Sequence, residues 1–393
     1  MTFYKQSIIL MSKVFDLFII GGGINGAGLA RDAAGRGLSV CLADKGEIGG
    51  ATSSWSTKLI HGGLRYLENY EFKLVRESLK ERETIYKIAK PISKPIPFII
   101  PYVDKIRPAW LIKMGLFLYD NLGGKTIIPK STTLDISKKL PNVLKKKYKT
   151  GFQYFDVQID DKKLTKQNIK SAKKYKAKIL EYNKVKKAEI NGNEWVIHLQ
   201  KGERIKSKIL INASGPWINE TLKKNIKIKS KNKIRLVKGS HIITKKLYKK
   251  DVAFTFQNTD KRIIFVIPYK KKFSLIGTTE VEVKSPENKG ISKKEIQYLI
   301  RSVNNYLEKQ ISTKDIVDSY SGIRPLIEDF NQASKVTRDY IFDLNIIKKL
   351  PLLSIYGGKL TTYRKLAENV LSDLEKFLPK TKIGPWTHKK NLF

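Results

Sequence analysis

Three glycines set the first constraint. Gly21, Gly23 and Gly26 lie in GGGINGAG, directly after the apolar, strand-like run Phe15 to Ile20. Ala27 to Gly35 reads as a small-residue helix. A second apolar strand over Leu38 to Ala43 ends at Asp44, about 20 residues past the glycines. That is a βαβ unit built around G-x-G-x-x-G. The first glycine permits the tight turn, the second lets backbone approach a pyrophosphate, and the third lets helix and strand pack closely. The helix N-terminus then faces the phosphates. An acid at the second strand's end suits a free ribose 2′-hydroxyl, so the reading is NAD or FAD, not NADP.

With 393 residues and 41% hydrophobic content, the chain can build a large core and two interleaved units. Its net charge is +41, from 77 Lys+Arg against 36 Asp+Glu, but only 13 of the basic residues are Arg. The lysines are scattered, which favours a solvated surface or attraction to an anionic membrane over a nucleic-acid site. No nucleic-acid partner is expected. The single cysteine, Cys41, has no internal disulfide partner and fits a reducing, cytoplasmic setting. No run of 18 or more apolar residues offers a spanning helix. Residues 1–11 read as an extension ahead of the first strand, with Met11 the candidate start. No metal site is expected.

Along the chain, Tyr70 to Ala89 has helical spacing. Pro91, Pro95, Pro97 and Pro101 then break any helix and mark a crossover. Residues 109–122, AWLIKMGLFLYDNL, form an apolar helix read as buried, with membrane-surface contact as the alternative. Strands follow over 178–185, 194–199 and 209–212, the last leading into Ala213-Ser214-Gly215-Pro216-Trp217. Residues 234–283 alternate strands and turns, 292–309 form a helix, and 352–357 form a last strand running into Gly357-Gly358-Lys359-Leu360-Thr361-Thr362 and a helix. The expected division is a discontinuous nucleotide-binding domain from 12–95, 150–225 and 340–380. A strand-rich substrate domain takes 96–149 and 226–339, and 381–393 is a tail. A cofactor fold assembled from both chain ends is usual in two-domain flavoproteins.

Three constellations carry chemistry. Thr52, Ser53 and Ser54 can donate to phosphate oxygens, while Lys58 and His61 could reach a flavin edge, and Gly62 and Gly63 let backbone pass close to a ligand. The Gly357-Gly358 loop opens a helix whose N–H groups could face the electron-rich edge of a reduced flavin. Arg324, in Ser321-Gly322-Ile323-Arg324-Pro325-Leu326, is a scarce guanidinium in an apolar segment and suits a planar anion clamp. His61 and His241 are the two histidines with motif-like surroundings, and the residues alone do not choose between them as a base.

Taken in order, GGGINGAG, ATSSWSTKLIHGGLRYLE, RPAWLIKMGLFLYDNLG, NASGPW, KGSHII, DKRIIFVIPY, IGTTEVE, YSGIRPL and YGGKLTTYRKLAE resemble the FAD-dependent, membrane-associated aerobic glycerol-3-phosphate dehydrogenases from about Asp16 to Trp386. The resemblance implies an α/β, two-domain, Rossmann-like FAD-binding fold of the amino-acid-oxidase type with a mixed-sheet substrate domain. It implies oxidation of sn-glycerol 3-phosphate to dihydroxyacetone phosphate, electrons passed to quinone, and a peripheral place on the cytoplasmic membrane face. Substrate phosphate then falls to Arg324, Arg65 and Lys359, helped by Tyr66 and Thr278. The implied FAD contacts are Gly21, Gly23, Ile24, Asn25, Gly26, Asp44, Thr52, Ser53, Ser54, Lys58, Leu59, His61, Gly62, Val185, Ala213, Gly215, Gly358, Leu360 and Thr361. Family members usually continue into a helical C-terminal domain, whereas this sequence stops at GPWTHKKNLF; a homodimer is compatible with the reading. The rival expectations are an oxygen-using oxidase of the same fold, acting on glycerol 3-phosphate or another hydroxy or amino acid, and a flavoprotein acting on RNA.

Overall fold

The computed structural model describes residues 13–104, 106–288, 290–327, 340–381 and 383–393. The expected extension and its Met11 start lie outside them.

Strand β1 (Val14–Ile20), helix α1 (Ile24–Gly35) and strand β2 (Val40–Ala43) form the opening unit. β1 and β2 are parallel, with Leu17 opposite Val40 and Ile20 opposite Ala43. Their side chains are buried almost throughout, which is why both read as continuous apolar runs. The sheet continues through Arg204–Asn212 on the other side of β1 and Leu350–Gly357 beyond it, both parallel. Lys178–Leu180 extends it past β2, and Tyr340–Ile347 closes the far edge antiparallel. The carboxyl ends of the parallel strands therefore meet at Ile20, Ala43, Asn212 and Gly357.

The second sheet has ten strands and holds the segments 234–283 and 316–327 together with four from earlier in the chain. Two features depart from expectation. The proline-rich stretch is not a crossover but a strand, Ser93–Pro101, paired antiparallel with Thr150–Ile159. Its other side pairs only at Phe98 and Ile99, so Pro95, Pro97 and Pro101 need donate nothing there. In consequence 150–159 belongs to this second sheet, not to the nucleotide-binding one as the expected boundary had it.

Helix α2 (Phe72–Ile88) packs its Leu74, Val75, Leu79 and Ile85 inward. Helix α3 (Ala109–Asn121) buries only Ile112, Leu116 and Tyr119. Its outer face leaves Trp110 at 65% and Phe117 at 66% exposure, with Met114 beside them, so the reading of 109–122 as a buried helix holds for one face alone.

Candidate active site

A cleft of about 530 Å³ runs along the carboxyl ends of the parallel strands, between the two sheets. Ligands of open α/β sheets bind in this position.

At one end the glycine turn is packed to contact. A Cβ on Gly26 would stand 2.0 Å from the Gly21 carbonyl oxygen and 3.4 Å from Ile19 Cγ2, so only hydrogen fits between helix and strand. Gly26 thus shapes the turn without lining the cleft. Asp44 closes the turn: Gly22 N donates to Oδ2 at 2.6 Å and Gly46 N to Oδ1 at 2.8 Å. Burial pushes this carboxyl up from its ordinary range, and the two amide donors pull it back. At the N-terminus of α1, Ile24 N donates to Ser53 Oγ at 2.8 Å.

The hydroxyl cluster divides its labour. Thr52 Oγ1 donates to the Ile323 carbonyl at 2.7 Å, tying the loop to the strand that carries Arg324. The buried Ser54 hydroxyl donates to the Gly49 carbonyl. Of the three expected phosphate donors, Ser53 alone stands at the helix N-terminus. Lys58 is corrected likewise: its Nζ bonds Asp161 Oδ1 at 2.7 Å and the Ser54 carbonyl at 3.0 Å, away from the cleft wall, because the fully buried Asp161 requires a cation.

Residues 59–61 continue along the cleft. Leu59 and Ile60 pair with Gln158 and Val157 of the second sheet, and His61 follows on the cleft wall. Thr361 Oγ1 accepts from His61 N at 3.2 Å and lies 3.3 Å from the His61 carbonyl, joining the two Gly-bearing loops. Gly62 lies behind the wall, with its N–H donating to Tyr119 Oη at 2.7 Å. Asn25 Nδ2 donates to the Gly357 carbonyl at 3.2 Å. Ile24, Asn25, Val185, Ala213, Gly215, Gly358 and Leu360 all line the cleft with Gly21, Gly23, Asp44, Thr52, Ser53, Leu59, His61 and Thr361.

The other end is cationic. Arg324 Nη2 donates to Thr278 Oγ1 at 3.1 Å, and Nη1 lies 3.7 Å from Glu280. Lys359 Nζ stands 4.2 Å from the ring centre of Tyr66. Arg65, Tyr66, Thr278, Arg324 and Lys359 share the cleft wall. So does Arg107, a residue the sequence reading did not single out. It pairs with Glu68 at 2.8 Å and donates to Gln257 at 2.6 Å, partners on distant segments that no local pattern reveals.

The two histidines occupy different layers. His61 lines the cleft. His241 is 1% exposed and sits one layer behind, its Nε2 3.1 Å from Thr57 Oγ1 and its ring stacked on Tyr320 at 4.8 Å. Burial, with the Arg324 and Lys58 charges, pushes its pKa well below the usual histidine value. The ring is neutral at physiological pH, and Thr57, which does line the cleft, separates it from the cavity.

The pattern of the family described as "FAD dependent oxidoreductase" matches residues 16–364. The chain belongs to the FAD-dependent oxidoreductase family. Within it, the chain is 44% identical over 390 residues to a glycerol-3-phosphate dehydrogenase of Pseudomonas aeruginosa, covering 97% of this chain and 75% of the relative. It is 43% identical over 381 residues to a D-erythritol 1-phosphate dehydrogenase of Brucella abortus, covering 95% and 76%. The solved glycerol-3-phosphate dehydrogenase of Bacillus halodurans, complexed with FAD, superposes with a TM-score of 0.74 at 26% identity, covering 96% of this chain and 68% of that one. FAD is the family's cofactor, and the cleft fits it. The glycine turn, the α1 N-terminus with Ser53, and Asp44 suit the adenosine and pyrophosphate, while the Gly358 loop, bonded to α1 through Asn25, and the His61 loop joined to it continue the wall.

Proposed function

We propose that the chain oxidises sn-glycerol 3-phosphate to dihydroxyacetone phosphate. The observation that carries this is a cationic wall, Arg324 with Thr278, Arg65 and Lys359, in the same cleft as a single exposed-to-cavity histidine, His61. A phosphate dianion matches the guanidinium fork and the neighbouring cations. Bound FAD supplies the two-electron acceptor for the C2 hydride. His61 takes the C2 hydroxyl proton as the carbonyl forms, a task suited to imidazole near neutral pH. The bond from Thr361 fixes the His61 backbone. His241 backs Thr57 and, being enclosed and held at a low pKa by burial and the Arg324 and Lys58 charges, is the poorer candidate base. Fixed donors and cations around the phosphate orient the substrate, so part of the binding energy is used to hold C2 in place.

The acceptor in this reading is quinone, and the protein works at a membrane surface. Support comes from the +41 charge and the outer face of α3, where Trp110, Met114 and Phe117 are exposed together. Among the described residues no helix is long and apolar enough to cross a membrane. The Brucella relative favours one second reading, a four-carbon polyol phosphate as substrate.

Arg324→Lys tests the phosphate assignment. It keeps the charge and loses the planar fork, so kcat/KM for glycerol 3-phosphate should fall roughly 10- to 150-fold, the equivalent of a charge-assisted bond of about 1.5–3 kcal/mol. The flavin spectrum should not change, and glycerol, which lacks phosphate, should be a poor substrate for both forms. Loss of FAD, or equal damage to glycerol and glycerol 3-phosphate turnover, would make Arg324 structural.

A further inference from the structure

We propose that Tyr119 and Asp156 are positioning residues for His61, acting through the backbone amide of Gly62; the proposal rests on the reading of His61 as the base. A chain of three buried bonds ends at that amide. Gly62 N donates to Tyr119 Oη at 2.7 Å, and Tyr119 Oη donates to Asp156 Oδ1 at 2.7 Å. Arg82 Nη1 donates to the same carboxylate oxygen at 3.1 Å and to the Phe155 carbonyl at 2.8 Å. Tyr119, Asp156 and Arg82 are all at most 5% exposed.

The chain has a fixed direction. The Tyr119 oxygen is occupied as acceptor by Gly62 N–H, so its proton must go to Asp156, and an ionised carboxylate is the stronger acceptor. The turn is also pressed against the tyrosine. A Cβ on Gly62 would stand 2.7 Å from Tyr119 Cε2 and 2.4 Å from Leu79 Cδ2, so only glycine allows the contact. With Thr361 holding the His61 amide from the opposite loop, the peptide units on both sides of His61 are fixed by side-chain hydroxyls. Asp156 itself lines the cleft.

The groups facing Asp156 are Arg82 from α2, Tyr119 from α3, Tyr154 on its own strand and the Gly62 amide, with Glu83 beyond Arg82 at 3.4 Å. Burial pushes the Asp156 carboxyl up to about 6, against the pull of Arg82 and Tyr119. As pH falls through that value the carboxylate is protonated, the Tyr119 bond weakens, and the Gly62 amide loses its fixed acceptor.

The experiment is a cycle of Tyr119→Phe and His61→Gln in the FAD-loaded enzyme, with kcat and KM followed against pH. Tyr119→Phe should keep the flavin spectrum and change KM for glycerol 3-phosphate by less than roughly threefold, while kcat falls about tenfold or more, as displacement of a base does. Its acid limb should lose the part that Asp156 adds near pH 6, because the route from that carboxylate to the Gly62 amide is gone. In the His61→Gln background, Tyr119→Phe should cost nothing further. An unchanged kcat and pH profile for Tyr119→Phe, or a loss that multiplies with that of His61→Gln, overturns the positioning role and leaves the base in place. A fully active His61→Gln overturns the base, and the positioning role with it. If Tyr119→Phe does not retain FAD, Asp156→Asn, which preserves side-chain volume, serves instead. It should lower kcat with little change in KM and cost nothing further in the His61→Gln background, and an unchanged kcat overturns the proposal.

Discussion

Thr361 Oγ1 lies within 3.3 Å of both the amide nitrogen and the carbonyl oxygen of His61, two residues separated by 300 positions in the chain. One hydroxyl thus staples the loop after the first strand of the second sheet to the loop that opens the last helix. The cleft's two Gly-bearing walls are set relative to each other by this contact.

Thr361→Val keeps the shape and removes both bonds. A neutral hydrogen bond is worth about 1 kcal/mol, so kcat should fall roughly fivefold with FAD retained. Steady-state kinetics beside a flavin absorbance spectrum check this. A variant that loses flavin but keeps its kcat per bound flavin would place Thr361 with the cofactor alone.

Lys58 answers the buried charge of Asp161, whose side chain is 0% exposed. Removing one partner of such a pair strands the other, at a cost of about 3–5 kcal/mol. Lys58→Met should therefore lower the melting temperature markedly, while Lys58→Met combined with Asp161→Asn should recover much of the loss. If Lys58→Met melts like the parent but binds flavin weakly, the lysine belongs to the cofactor site.

Acid stability follows from His241. Its folded-state pKa lies well below the ordinary 6.5, so the unfolded chain binds the proton first. The stability this group contributes is present above about 6.5 and is lost as pH falls below it, by about 1.4 kcal/mol per pH unit. Asp156 runs the other way. Its folded value of about 6 stands above the ordinary 3.8, so its contribution is fully present below 3.8 and is lost as pH rises through 6. Denaturant melts at pH 7.5 and 5.5 should show the parent weakening toward acid and His241→Gln weakening less. Equal slopes would contradict the buried, neutral imidazole.

What the sequence disclosed, and what it hid, follows the range of the interactions. The glycine turn was legible because it is a local pattern whose backbone demands one residue type. The three-proline strand was not, since a strand tolerates proline only when its neighbour leaves that side unpaired, and pairing is set by segments far away. The same holds for the hydroxyl cluster. Thr52 and Ser54 look like Ser53 in sequence, but Ile323 and Gly49 take their protons. Lys58 with Asp161 and Arg107 with Glu68 were hidden for the same reason.

The outer face of α3 gives a membrane prediction. Protein should pellet with anionic vesicles at low salt and release as ionic strength rises, because screening shortens to about 8 Å near physiological salt. Trp110→Ser with Phe117→Ser should weaken the binding that survives salt. Failure to bind vesicles of either charge would remove the membrane surface from the account.

The most direct measurement of the central claim is anaerobic reduction of the bound flavin, followed by its absorbance. Glycerol 3-phosphate should bleach the flavin rapidly and glycerol should not, and added quinone should restore the colour faster than air does. Rapid bleaching by D-erythritol 1-phosphate with none by glycerol 3-phosphate would contradict the three-carbon substrate. A flavin left oxidised by every polyol phosphate would contradict the account as a whole.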